Sequence, residues 1–196
     1  MSPRAGLTAE RITLAAAELA DEVGFDNITV AALARRFGVK DASLYSHIKN
    51  LGDLRNRVAM LAGDEKAERI AAAVAGRAGR DALAAFADEW RRYALEHPGR
   101  YAATQMPIDR AVAADWSGGW RAIDLTYGML RAYGLGEPDI TDAVRLLRST
   151  FHGYADLEAS GGFGHRRSTV ASWDRIVDAL HITLTHWPTD QKATSK

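Results

Sequence analysis

Residues 29–50, TVAALARRFGVKDASLYSHIKN, constrain the fold of this chain more than any other stretch, because they predict two short helices joined by a tight turn. Thr29 can cap the first helix, whose buried side is an apolar stripe at helical spacing. The members of this stripe are Val30, Leu33, Ala34 and Phe37. Gly38 then breaks the pattern, since glycine readily takes the left-handed conformation that ends a helix and turns the chain.

A second helix is predicted from Lys40, and its buried side needs only Leu44 and Ile48, an i, i+4 pair. Val39, just before it, can pack in the corner between the two crossing helices. The opposite face carries small polar groups, a phenol and an imidazole, all able to form hydrogen bonds: Asp41, Ser43, Tyr45, Ser46 and His47. Such a surface suits the second helix of a helix-turn-helix, which lies in the DNA major groove. The alternative is a solvated polar face on an ordinary three-helix unit.

The distribution of charge favours the DNA-binding interpretation, although the chain as a whole has a formal net charge of zero. Residues 1–26 hold two basic and five acidic side chains, whereas residues 35–57 hold six basic and two acidic ones. Positive charge is therefore concentrated where the predicted groove helix lies, as contacts with DNA phosphates require. Arg4 is the one basic residue before the first helix, so we expect a disordered N-terminal tail and no long minor-groove arm.

The run from Leu7 to about Arg57 resembles the N-terminal domain of the tetracycline-repressor (TetR) family of bacterial transcriptional regulators. The segments that carry the resemblance occur in register: ITLAAAELADEVGF, ITVAALARRFGV, LYSHIKN and GDLRNRVA. It implies that Lys40, Asp41, Ala42, Tyr45 and Ser46 face base edges, with Ser43 on the same surface. It also implies that Thr29, Tyr45, His47 and Lys49 bind phosphates.

Two positions depart from the family pattern. Lys40 stands where a capping Ser or Thr is common, and Ser46 stands where many relatives carry a longer side chain, so direct readout there is expected to be weak or water-mediated. Asp41 either accepts from a cytosine amino group or complements the helix N-terminus, and the sequence leaves both roles open.

The rest of the chain predicts a helical body, because apolar stripes at helical spacing recur between glycine and proline stops and no segment alternates with period two. The predicted fold is all-α with about nine helices. Residues 1–56 form the DNA-binding domain, with a reading unit at about 29–48. Residues 57–188 form an effector-binding and dimerisation domain, and 189–196 a disordered tail.

Phe151-His152-Gly153 resembles the Trp-His-Gly signature found in a subset of C-terminal domains of this family, with Phe in place of Trp. The resemblance implies a homodimer formed by the last two long helices, and hence an inverted-repeat operator. It also implies a small-molecule effector that shifts the spacing of the two DNA-binding domains. Seven rings are candidates for an apolar or aromatic pocket, although a stripe of rings is also typical of an ordinary core: Trp90, Tyr93, Tyr101, Trp116, Trp120, Tyr127 and His152.

Other functional classes are disfavoured. The absence of cysteine excludes disulfide frameworks, thiolate metal sites and cysteine nucleophiles. No H-E-x-x-H, G-x-S-x-G or phosphate-loop motif occurs, and His152 with Asp156 supplies too few ligands for a tight metal site. We therefore expect no enzyme activity, no cofactor and no metal. No signal peptide or membrane span is predicted, so a cytoplasmic protein is expected, nucleoid-associated when bound to DNA. A repressor is expected, the alternative being an activator or an effector-independent DNA-binding protein of the same fold.

Overall fold

The computed structural model describes residues 6–108 and 116–188, without the side chains of residues 117–120 and 122. In the described residues there are nine α-helices and no strand, which confirms the all-α prediction. The helices are α1 (Ala9–Val23), α2 (Val30–Phe37), α3 (Asp41–Leu44), α4 (Leu51–Val74), α5 (Gly79–Glu96), α6 (Pro98–Ala103), α7 (Ser117–Arg131), α8 (Asp139–Ala159) and α9 (Thr169–Thr185). Arg4 and the predicted tail 189–196 lie outside the described residues.

The chain forms two compact units, each assembled from separate segments. The first comprises Met1–Arg69 and Arg92–Ala122, and the second comprises Ile70–Arg91 and Ile123–Lys196. The long helices α4 and α5 therefore contribute residues to both units. No helix in the described part of the chain is both long and apolar enough to cross a membrane.

Local capping explains where the N-terminal helices begin and end. The Thr8 hydroxyl accepts a hydrogen bond from the backbone N–H of Arg11 at 3.2 Å, so α1 begins at Ala9. Gly24, at φ 89°, ends α1. Val23 is 44% exposed because the last turn of α1 extends beyond the core.

The first unit is built around a core that α1, α2, α3 and the start of α4 share. Its fully buried side chains include Ile12, Leu33, Leu44 and Leu54, one from each of these four helices. The core also contains Ala103 of α6, a helix that packs directly against α1. The sequence 97–99, His-Pro-Gly, leads from α5 into α6, and Pro98 lies in the first turn of α6, where a missing N–H costs nothing.

The second unit encloses an aromatic core between α5, α8 and α9. Phe151 of α8 lies 6.1 Å from the ring of Phe86 and 5.5 Å from that of Trp173. Arg91 of α5 forms a two-pronged ion pair with Glu158 of α8, both bonds measuring 2.6 Å, and its guanidinium lies over the Trp173 ring. The predicted apolar stripes of these helices therefore form a core, closed at one side by a half-buried charged pair.

Candidate nucleic-acid interface

The turn between α2 and α3 has the geometry that the sequence predicted. Thr29 caps α2 by accepting from the backbone N–H of Ala32 at 3.2 Å. Gly38 adopts the left-handed conformation, with φ 67° and ψ 33°, and the N–H of Val39 reaches back to the Ala34 carbonyl at 3.0 Å. This turn ends α2 and leads the chain into α3.

The second helix of the motif is shorter than expected. The α-helical part covers only Asp41–Leu44, although a helix to Ile48 was predicted. Beyond Leu44 the chain tightens: the N–H of His47 donates to the Leu44 carbonyl, three residues back, at 2.9 Å. Leu44 and Ile48 are 0% and 2% exposed, so both predicted anchors hold this segment on the core despite the change in winding.

The side chains predicted to contact DNA are all on the surface around this segment. Tyr45 is 52% exposed, a large exposed fraction for an aromatic side chain of a folded protein. Ser43 and His47 are half-buried, and the remaining members are exposed: Thr29, Lys40, Asp41, Ala42, Ser46 and Lys49. We refer to these nine residues as the contact surface.

Two hydroxyls of the contact surface already have local hydrogen bonds. Thr29 uses its oxygen as an acceptor, so its hydroxyl hydrogen remains available to a phosphate. Ser46 is the reverse, because its hydroxyl donates to the Ser43 carbonyl at 2.8 Å and only its lone pairs remain. The Thr29 hydroxyl is therefore suited to an acceptor partner, and the Ser46 hydroxyl to a donor partner.

The positive charges near the contact surface are not equivalent. Arg36 donates to Glu18 at 2.8 Å and to Glu22 at 2.7 Å, and the Glu22 hydrogen bond raises the pKa of its guanidinium. Arg55 donates to the Asp26 carbonyl and lies over the Phe25 ring. The side chains of three other cations make neither an ion pair nor a hydrogen bond with any residue that the structure describes: Arg35, Lys40 and Lys49.

Sequence reasoning missed the cap that follows the contact surface. The Asn50 side chain accepts from the N–H of Asp53 at 2.8 Å, and Asp53 in turn accepts from the N–H of Lys49 at 3.0 Å. Asp53 also accepts from Arg57 at 3.2 Å. The pattern Asn-x-x-Asp before an apolar helix is a variant of the capping box, so a signal for it was present. These bonds fix the backbone of Lys49 at the start of α4.

The candidate effector rings divide between the two units. In the first unit, Tyr93 is fully buried and donates to the Ala62 carbonyl and to Glu65, both at 3.1 Å. Burial and the neighbouring Glu65 raise the pKa of its hydroxyl. Tyr101 is 7% exposed, and the Trp116 indole donates to Asp64 at 2.9 Å.

In the second unit, Trp90 stacks near Phe86 and Phe151, with ring centroids 6.0 and 5.9 Å away. The Tyr127 hydroxyl lies 3.3 Å from that of Thr141, and His152 is half-buried. The side chain of Trp120 lies outside the description. Among the residues described, no three His, Asp or Glu side chains are grouped so as to hold a metal ion.

Comparison with known proteins gives two family matches that together span most of the chain. Residues 12–57 match the model "Bacterial regulatory proteins, tetR family". Residues 83–180 match the model "Tetracyclin repressor-like, C-terminal domain".

Individual relatives extend these matches. The chain is 36% identical over 161 residues to the uncharacterized HTH-type transcriptional regulator Rv0681 of Mycobacterium tuberculosis, covering 80% of this chain and 72% of that protein. It is 31% identical over 176 residues to the uncharacterized HTH-type transcriptional regulator YobS of Bacillus subtilis, covering 88% and 90%. Among solved structures, the TetR family protein ActR of Streptomyces coelicolor in complex with actinorhodin has the same fold, with a TM-score of 0.68 at 19% identity over 93% of this chain and 98% of that one.

Proposed function

The chain belongs to the TetR family of bacterial transcriptional regulators, and from this premise we propose that it represses transcription as a homodimer bound to an inverted-repeat operator and is released by a small apolar or aromatic ligand. In this proposal residues 1–56 bind DNA, and residues 57–188 hold the effector and the dimer interface. The protein acts in the cytoplasm, on the nucleoid when it is bound to DNA.

The observation that carries the DNA-binding part is the exposed contact surface. This surface follows the Gly38 turn, which has helix-turn-helix geometry, and the buried side chains of Leu44 and Ile48 anchor it to the core. Short side chains such as Ala42 and Ser46 allow close approach to base edges, whereas Lys49, with its backbone fixed by Asp53, is a phosphate ligand on a rigid support.

The hydrogen bond of Ser46 supports a particular part for it in base recognition. Because its hydrogen is directed to the Ser43 carbonyl, the hydroxyl can accept but not donate toward DNA. Acceptors in this position pair with the amino groups of adenine or cytosine in the major groove. Thr29 and His47 instead retain donors for phosphate, as does Tyr45, whose hydroxyl can also reach a base edge.

The dimer part of the proposal rests on apolar side chains exposed on α8 and α9. Leu157 is 46% exposed, Val170 53% and Ile182 59%. Large aliphatic side chains exposed on two helices that contact each other are expected to be covered by a partner surface. A second copy of the chain, presenting the same two helices, would form a four-helix interface with two-fold symmetry.

The effector part rests on the aromatic content of the body and on one structural relative. Trp90, Tyr127 and His152 are half-buried, so each retains some surface that a ligand can contact. Tyr93, by contrast, is fully buried and spends its hydroxyl on Ala62 and Glu65, which assigns it to the core. ActR has been solved with actinorhodin, a ligand bound by the same fold.

The test is fluorescence anisotropy with DNA from the region upstream of the protein's own gene, a scrambled duplex, and sites enriched from random DNA by the protein itself. A preference of about a thousandfold for one inverted repeat, with a steep loss of affinity as salt rises, is expected. Addition of aromatic compounds to the preformed complex then identifies those that release the DNA. Failure to enrich any site from random DNA would overturn the proposal. A specific complex that no ligand releases would leave an effector-independent regulator.

A further inference from the structure

Helix α6 lies unusually close to the end of α1. A side chain at Gly99, even a methyl group, would place its Cβ 2.0 Å from the carbonyl oxygen of Ala20 and 2.5 Å from the backbone nitrogen of Asp21. Those are backbone atoms within a helix and cannot move aside on their own. Only glycine at position 99 therefore permits this approach of the two helices.

Asp21 uses that approach to cap α6 from another helix. The residue at the N-cap position of α6, His97, supplies no side-chain capping bond. Asp21 of α1 supplies one instead, because its Oδ1 accepts from the backbone N–H of Arg100 at 2.8 Å. The carboxylate also meets the positive end of the α6 dipole.

Two side chains approach the other oxygen of the same carboxylate, Oδ2. Arg100 Nε lies 3.2 Å from Asp21 Oδ2, and His97 Nδ1 lies 3.3 Å from it. Arg100 also contacts Glu65 of α4 at 3.2 Å, and Glu65 accepts from Tyr93 of α5. The side chains of Arg100 and Asp21 are only 14% and 18% exposed, so these interactions are weakly screened by solvent and hold α1 firmly.

We propose that Asp21, together with Gly99, is a positioning residue that fixes the orientation of the three-helix head (α1–α3) on α6 and thereby determines which spacing between operator half-sites the dimer accepts. Asp21 lies on α1, on no part of the contact surface, so it acts on DNA binding only through the orientation of the head. The inference rests on the proposed function, since it needs a dimer that binds two half-sites.

The physical reason is preorganisation. When both heads are held at the correct spacing, the second half-site binds as an intramolecular event, which raises affinity by about 10²–10⁴-fold over a single half-site. A head that loses the Asp21 contacts is still held by the core that it shares with α4 but samples more orientations, so its effective concentration at the second half-site falls. Because the head then samples more orientations, the dimer also tolerates other spacings between the half-sites.

The experiment compares four proteins: the wild type, Asp21→Ala, Asp21→Asn and Asp26→Ala. Asp26 is an exposed aspartate of the same head, so its replacement controls for the lost negative charge. Each protein is titrated against a duplex with one half-site and against operators with two. The half-site spacing of these operators is either the optimum found for the wild type or one or two base pairs shorter or longer. Circular dichroism and thermal unfolding establish folding, and Arg100→Met replaces Asp21→Ala if that variant does not fold.

The wild type and Asp26→Ala are expected to bind the optimal operator at least about tenfold more tightly than the altered spacings. Asp21→Ala is expected to bind the single half-site as the wild type does, but to distinguish the spacings by less than about threefold. Asp21→Asn keeps an acceptor for the Arg100 N–H and loses the charge. Its discrimination between the spacings should lie between that of the wild type and that of Asp21→Ala. An unchanged spacing preference in folded Asp21→Ala would overturn the inference, as would an equal loss of affinity for the half-site and the operators. If the wild type itself binds no half-site specifically, that result overturns the proposed function, and with it the premise of this inference.

Discussion

At the scale of the residue, the direction of a single hydroxyl hydrogen separates the possible roles of similar side chains. Thr29 and Ser46 both belong to the contact surface, yet Thr29 accepts locally from Ala32, whereas Ser46 donates locally to Ser43. Thr29 can therefore still donate to a phosphate, and Ser46 can still accept from a base. The residue types alone would assign the same capability to both.

Tyr45 offers the most direct test of the contact surface. Tyr45→Ala is expected to weaken operator binding by about 1–3 kcal/mol, because we propose that the ring and hydroxyl contact DNA, and to leave the dimer intact. Operator titration by anisotropy and analytical ultracentrifugation measure the two quantities. Tyr45→Phe separates the hydroxyl from the ring. Since the side chain is 52% exposed, dissociation of the dimer in Tyr45→Ala would contradict its assignment to the surface.

Gly38 tests the turn itself. Gly38→Ala is expected to lower the free energy of unfolding by about 1–2 kcal/mol, because φ is 67° and alanine disfavours the left-handed region. A Cβ there would meet no atom within 4 Å, so the cost is conformational and not steric. Gly128→Ala is the matched control: that position is also open, but it is helical, so about 0.5–1 kcal/mol of stabilisation is expected. Equal effects of the two substitutions in urea denaturation would refute this account.

At the scale of the element, half-buried ion pairs tie helices together within a unit. The Arg91–Glu158 pair links α5 to α8, and the Trp173 indole of α9 donates to Asp88 of α5 at 2.7 Å. These contacts lie at the edge of an aromatic core that already holds the three helices, so they determine register more than they supply stability.

The same pair predicts a pH dependence. The Arg91 hydrogen bond lowers the pKa of Glu158 below its usual range, so the folded protein holds this proton less tightly than the unfolded chain does. The resulting stabilisation is complete above the unfolded pKa of about 4.3 and is lost as the pH falls through the lower, folded value. Glu158→Gln is expected to cost about 1–3 kcal/mol at neutral pH, and this difference from the wild type should shrink in acid.

Thermal unfolding between neutral and acid pH measures this difference. Asp142→Asn is the control, since that carboxylate is 59% exposed and pairs with Arg145, itself 76% exposed, so almost no effect is expected at any pH. If Glu158→Gln lowers the free energy of unfolding by the same amount at neutral and acid pH, the loss comes from altered packing and not from the missing charge.

At the scale of the whole molecule, the apolar surface of α8 and α9 predicts the oligomeric state. Ile182→Glu is expected to convert the dimer into a monomer at micromolar concentration, because it places a charge in the proposed interface. Leu14→Glu changes a comparably exposed apolar residue of α1, 46% against 59%, and should remain dimeric. Sedimentation equilibrium distinguishes the two states. A monomeric wild type, or a dimeric Ile182→Glu, would place the interface elsewhere.

Much of this architecture was predictable from the sequence, because it follows from contacts between residues close in the chain. Thr8 and Thr29 cap helices by bonds to residues three positions ahead, and Gly24 and Gly38 end helices through their own backbone freedom. The apolar stripes identified the cores for the same reason, since residues that share a helix face are spaced by the helix itself. The family resemblance added the order of the helices.

The tertiary structure alone decided the features that join residues distant in the chain. Asp21 caps a helix by a bond to a residue 79 positions away, and Gly99 is required by the closeness of a carbonyl of α1. Tyr93 of α5 donates its hydroxyl hydrogen to the Ala62 carbonyl of α4, 31 residues away. The early tightening after Leu44 likewise depends on the core that holds Ile48. Such pairings have no local pattern, because the energy that selects them arises only when separate helices pack together.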